Sequence, residues 1–218
     1  NFFNRDGMHL NLGLNGLSGE VPSITTMIYP PTYLKADLDL KPLSSRYVSI
    51  EFSRSLTLAK NRTSAFRLGF GISFDWYNFM FDHNRLVRKA NQGAIFQPIF
   101  DMQGKVIPLS KNKLTVSYIN IPLMPHVVFN KNSPVQMIGL GGYVSYRLDS
   151  WTKSVEEKTE NLSRLSSNFN LNQFRYGLRA EFALRHLPNL FFNYDLSPVF
   201  EKNSNPKLAG FSFGIRLL

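Results

Sequence analysis

From Phe66 to Trp76 every even position is large and apolar: Phe66, Leu68, Phe70, Ile72, Phe74 and Trp76. The odd positions between them are Arg67, Gly69, Gly71, Ser73 and Asp75. A period of two marks a β-strand with two unlike faces. The polar face is unusual, because it is mostly glycine, serine and isolated charge. That combination suits the crowded interior of a small barrel better than a water-facing sheet. An eight-stranded barrel has a bore just wide enough for side chains to fill it.

The alternation recurs. Leu10, Leu12 and Leu14 oppose Asn11, Gly13 and Asn15; Val48, Ile50 and Phe52 oppose Ser49, Glu51 and Ser53. Ile119, Ile121, Leu123, Val127 and Phe129 oppose Asn120 and His126. Ile138, Leu140, Val144, Tyr146 and Leu148 oppose Gly139, Gly141, Tyr143, Ser145 and Arg147. Phe174, Tyr176, Leu178, Ala180 and Phe182 oppose Arg175, Gly177, Arg179 and Glu181. Leu190, Phe192, Tyr194 and Leu196 oppose Asn193 and Asp195; Phe211, Phe213, Ile215 and Leu217 oppose Ser212, Gly214 and Arg216. With the first stretch this makes eight strands.

Short and long connections alternate. The links AKNRT, NKNS and RHLPN are short, whereas those over 17–45, 78–113 and 149–170 are long, and SPVFEKNSNP is intermediate. Turns sorted by length to opposite ends are the layout of an outer-membrane barrel. The expected fold is all-β: one eight-stranded antiparallel up-and-down transmembrane β-barrel domain over 1–218. No run of about 18 apolar residues occurs, so no helix is expected to span a bilayer. A soluble lipocalin-like barrel is the alternative, with the aromatics turned into a ligand cavity and the polar parity outside.

The two parities assign roles. The inward set is Glu51, Arg67, Asp75, Arg147, Arg175, Arg179, Glu181, Asp195 and Arg216, a lumen polar network of nearly balanced charge. Buried charges need partners, and Arg is suited to bidentate pairing in a dry space. The lipid-facing set is Phe66, Leu68, Phe70, Ile72, Phe74, Trp76, Phe211, Phe213 and Ile215. Tyr118, Tyr146, Tyr176, Tyr194 and Trp76 are candidates for interfacial girdles.

The formal net charge is +10, yet the Lys residues fall in expected loops, turns and strand ends, and strand interiors carry Arg without Lys. This places positive charge toward an anionic lipid surface. No basic stripe alternates with aromatics on one face, so nucleic acid is not an expected partner. There is no Cys, and His9, His83, His126 and His186 form no HxH or HxxxH pair, so no metal or cofactor is expected. Asp37 and Asp39 read as solvated carboxylates on an edge-strand extension. No Ser, His and acid share a spacing that would make a nucleophilic triad. The start, NFFNRDG, has no basic-then-apolar leader, so an exported chain would have lost its signal before this point.

Several segments carry a family resemblance. LNLGLNGL (10–17) resembles the opening strand of small barrels from Bacteroidota outer membranes. YINIPLMPHVVF (118–129) resembles their fourth strand, most specifically in Ile121, Pro122 and Leu123, and IGLGGYVSYRL and AGFSFGIRLL fit the same pattern. The family that these segments resemble is the PorT-like outer-membrane β-barrel family. Leu218 departs from it, since such barrels commonly end in an aromatic that the assembly machinery reads. The resemblance implies an eight-stranded barrel in the bacterial outer membrane and, for some members, a part in type IX protein secretion.

The segment 78–113 is too apolar for a freely solvated loop, and Ile95, Phe96, Ile99 and Phe100 make it a candidate partner-docking loop. The expected function is that of a non-enzymatic subunit or docking partner in an outer-membrane protein assembly. The expected partners are outer-membrane lipids, including lipopolysaccharide, and an outer-membrane protein. The competing classes are a solitary structural or anchoring barrel and a lipid-modifying enzyme.

Overall fold

The computed structural model describes residues 4–20, 39–90, 93–130, 132–201 and 207–217. Eight strands close an antiparallel barrel in chain order: β1 (Gly7–Glu20), β2 (Arg46–Lys60), β3 (Ser64–Met80), β6 (Leu109–Phe129), β7 (Val135–Glu156), β9 (Phe174–Leu184), β10 (Asn189–Asp195) and β11 (Lys207–Leu217). The last, β11, pairs back onto β1, with Leu12 opposite Ile215 and Leu14 opposite Phe213. Closure leaves the barrel wall no free edge, so its backbone groups can be satisfied inside a bilayer. These are the eight strands that the alternation marks.

The period-2 pattern resolves into an inner and an outer wall. Phe66, Phe70, Ile72, Phe74 and Phe213 are exposed, and Leu68, Trp76, Phe211 and Ile215 are half-exposed on the same outer side. Between them, Ser73 and Asp75 are buried. A lipocalin would have the reverse arrangement. Tyr146, Tyr176 and Tyr194 are also exposed on the outside, and the Tyr146 ring packs edge-on to Phe174.

Among the described residues, three further strands lie in the long connections, where loops alone are expected. β4 (Arg85–Ala90) and β5 (Gly93–Pro98) form a hairpin inside 78–113. β8 (Leu162–Ser166) folds back on the upper part of β7, pairing Trp151 with Ser166 and Val155 with Leu162. Their host strands outrun the membrane: β6 has 21 residues and β7 has 22, against about 9–11 for a tilted span. The 149–170 link is therefore a strand continuation plus a hairpin. The same extension corrects the reading of Lys. Lys111 and Lys113 lie within β6, Lys153 within β7 and Lys89 within β4. The segment around Asp39 is indeed an edge extension, since Leu40 bridges to Phe81 and the Asp39 carbonyl accepts the Asp82 N–H at 3.0 Å. Asp37 lies outside the described residues.

The long-connection end of the barrel is stoppered by apolar side chains. Phe79, Phe81 and Leu114 from the strand ends meet Val87 and Phe96 of the β4–β5 hairpin, Phe169 and Leu171 from the β7–β9 connection, and Val199 and Phe200 after β10. Phe169 is fully buried at φ 46°. Holding a non-glycine residue in the left-handed region costs on the order of 1–3 kcal/mol, which its packing in the stopper must offset. This arrangement corrects the docking-loop expectation: Phe96 is buried in the chain's own core, its ring 5.4 Å from that of Phe81. Ile99 is half-buried and Phe100 is exposed, while the side chain of Ile95 is outside the description.

A Phe70→Lys substitution puts an ammonium on the outer wall, at an expected cost of about 2–4 kcal/mol near the bilayer midplane. The fraction folded into liposomes, read from the gel-mobility difference between heated and unheated samples, should fall sharply, while Phe70→Leu should fold as the parent does. Normal folding of the Lys variant would contradict the assignment of the outer wall to lipid.

Candidate functional site

The inner wall carries two stacked charge clusters. In the one nearer the short turns, Glu51 of β2 and Glu181 of β9 face Arg5, Arg179 and Arg216. Arg5 reaches Glu181 through Nε and Nη2 at 2.7 and 2.8 Å and Glu51 through Nη2 at 3.0 Å. Arg216 donates to Glu181 at 2.8 Å, to Glu51 at 3.0 Å and to the Ser53 hydroxyl at 3.3 Å. Arg179 makes ion-pair contacts with both carboxylates, at 2.9 and 2.8 Å, without aligned N–H···O geometry. Each glutamate thus contacts three guanidiniums. Gly69 makes room for this cluster, since a Cβ there would stand 3.0 Å from Arg5 Nη1.

In the second cluster, nearer the long connections, Arg175 is the central cation. Its guanidinium lies 4.1 Å from the Tyr77 ring centroid, 4.2 Å from Tyr118 and 5.4 Å from Tyr143, each within cation–π range. It lies 3.4 Å from Asp195 and 3.9 Å from Asp75. The Tyr143 hydroxyl donates to Asp195, and Ser73 donates to Asp75 at 2.7 Å. Ser145 donates to Asn120, and Asn120 donates to Ser73, which ties β7, β6 and β3 together. Tyr143 lies against Gly177, where a Cβ would come within 2.5 Å of its hydroxyl. Tyr118 is therefore an interior residue, and its place in an outer girdle is corrected. It shares the inward parity of Asn120.

Among the described residues the two clusters set four guanidiniums, of Arg5, Arg175, Arg179 and Arg216, against four carboxylates, of Glu51, Asp75, Glu181 and Asp195. The two clusters taken together are formally balanced. Two residues of the sequence-derived network stand apart from these clusters. Arg147 is buried but donates to neutral partners, Ser150 at 3.1 Å and Gln173 at 2.9 Å. Arg67 is half-buried toward the short-turn end, opposite His126.

Arg5 is the residue that sequence reasoning missed. The odd parity of Asn11 and His9, both buried, runs back to it, and its carbonyl accepts hydrogen bonds from the His9 ring at 2.8 Å and the Ser53 hydroxyl at 2.8 Å. His126 bonds the Met124 carbonyl through Nδ1 at 2.8 Å, and His186 sits in the turn after β9 at φ 66°. His83 packs against Phe81 and Phe96. No group of three or more His, Cys, Asp or Glu among the described residues is placed to hold a metal ion.

Removing one shared acid should cost far more than a surface pair. Glu181→Gln leaves Arg5, Arg179 and Arg216 with one carboxylate between them, and breaking a buried pair costs about 3–5 kcal/mol. Urea unfolding in liposomes should show a loss of that order, against about 0–1 kcal/mol for Asp82→Asn, which removes an exposed pair with Lys41. Equal effects would contradict the network's structural weight.

Similarities to known proteins bear on the whole barrel. No curated protein matches the chain. Among solved structures, the attachment invasion locus protein Ail of Yersinia pestis aligns over 97% of this chain and 99% of its own, at 9% identity and a TM-score of 0.32. A family model described as outer membrane protein beta-barrel domain matches residues 5–203, which includes Arg5 and seven of the eight barrel strands. The chain therefore belongs to the outer membrane protein β-barrel family, and its place is the bacterial outer membrane.

Proposed function

We propose that this barrel is a non-enzymatic docking partner within an outer-membrane protein assembly, working through its external rim. The observation that carries the reading is the contrast between a bore given over to paired charges and a hydrogen-bonded apolar tip beyond the barrel. The bore holds the two charge clusters under an apolar stopper. The tip lies on the connection between β5 and β6. Phe100 bridges to Val106, and Asp101 Oδ1 accepts the N–H groups of Gln103 and Lys105 at 3.0 and 2.8 Å. Gly104, at φ 77°, closes the turn. This hydrogen-bonded turn holds Phe100 at 57% exposure and Met102 fully exposed. Apolar side chains presented on a pre-organised turn bind without paying to order it.

The outward aromatic and aliphatic side chains serve as the lipid-facing wall. The resemblance of Ile121, Pro122 and Leu123 to the PorT-like fourth strand favours an assembly of the type IX secretion pathway. A solitary structural barrel is the second reading, favoured by a bore that carries two structural charge clusters.

Phe100→Ser with Met102→Ser leaves the stopper intact, because neither side chain belongs to it. The doubly substituted protein should fold as the parent does and lose its protein partner in a mild-detergent pull-down from native outer membranes. Retention of every partner would contradict docking through this tip. A parent protein that brings down no partner would make the solitary barrel the better reading.

A further inference from the structure

Three cations stand side by side across three strands on the outer wall. Lys113 of β6 pairs in register with Lys153 of β7, and Lys153 pairs with Arg164 of β8. Like charges directly opposite one another destabilise a sheet. Lys111 adds a fourth cation two residues along β6, and half-buried Lys113 lies within electrostatic reach of both Lys111 and Lys153. Among the described residues none of these four is paired with a carboxylate. The nearby pair of Lys41 with Asp82, at 3.5 Å, shows that acids are available to this rim. The row's repulsion is therefore left for something outside the chain to relieve.

The row's position identifies the kind of partner. Along the outer side of β7, Tyr146 and Leu148 are exposed and apolar, then comes Trp151, then Lys153. An amphipathic Trp marks the level where hydrocarbon gives way to headgroups, and the cations begin one outward position beyond it. The Arg164 guanidinium lies 4.9 Å from the Trp151 ring centroid, which holds it over that boundary. Beside the row is a groove of about 430 Å³ lined by Lys41, Ser44, Met80, Ser110, Lys111 and Val155. This end carries the long connections, which face outward in such barrels.

We propose that Lys113, Lys153 and Arg164, with Lys111 at the groove, form a binding site for a phosphorylated lipid headgroup of the outer leaflet. The acyl chains would lie on the apolar wall below Trp151, and the phosphate would bridge the cation row. An Arg beside two Lys provides both fork-shaped and point-charge donors for phosphate oxygens.

The test uses the folded full chain in uncharged detergent, titrated with purified lipopolysaccharide, with the same material stripped of its lipid phosphates, and with inorganic phosphate as competitor. The K113Q/K153Q/R164Q protein should bind lipopolysaccharide roughly 100-fold more weakly. Removing the same number of charges at the short-turn end, in K60Q/R62Q/R185Q, should have little effect. Stripping the phosphates should weaken binding to the parent protein by a similar factor, a result that stands even if the triple variant fails to fold. Inorganic phosphate at millimolar concentration should not displace the lipid. Unchanged affinity of the folded triple variant, or equal binding of the dephosphorylated lipid, would overturn the proposal. Full displacement by inorganic phosphate would assign the row to the free ion and overturn the lipid.

Discussion

Glu51 and Glu181 each lie against the same three guanidiniums, those of Arg5, Arg179 and Arg216, at the centre of the barrel. Four segments supply these five side chains: the residues before β1, then β2, β9 and β11. Charges taken out of water are tolerated only when their pairing and hydrogen bonds make up the lost hydration. These strands must therefore hold a register in which all five meet. A one-residue slip of any of them would turn its charge to the outer wall. The network is thus a specification of register as much as a source of stability. The Arg175 cluster repeats the device higher in the bore, with tyrosine rings taking part of the role of acids.

A bore occupied by two paired-charge clusters constrains function. The charged side chains of the interior lie beneath Phe79, Phe81, Phe96, Phe169 and Phe200, and a bore of this size is one that side chains can fill. What the molecule offers its surroundings is external: the outer apolar wall, the β6–β7–β8 blade that continues above it, and the tight turn from Phe100 to Val106. The blade exists because β6 and β7 run far beyond one bilayer crossing, and the same extension lifts Lys113 and Lys153 out of the lipid. Length, charge placement and the proposed lipid site are consequences of one structural choice.

The barrel was legible because a two-sided wall writes period 2 into every spanning strand, and the inward parity named Glu51, Asp75, Arg175, Arg179, Glu181, Asp195 and Arg216 directly. Legibility ended where that constraint ends. Arg5 precedes the first strand, so it belongs to no alternating run, although the parity of His9 and Asn11 points to it. RLVRKA, GAIFQP and LSRLS are five or six residues long and lie outside the wall, so no lipid-facing period marks them. Phe96 looked available to a partner because a single sequence cannot say whether an apolar loop residue meets another molecule or the chain's own stopper. Tyr118 suits a membrane interface and a cation-lined interior equally by composition, and only its parity separates the two.

The claim that side chains close the bore is tested most directly by electrical recording of the purified parent protein in planar bilayers. An eight-stranded barrel packed with paired charges should give no steady conductance above the bare membrane. Reproducible single-channel steps of porin size would show that the interior opens to water, and would contradict the account.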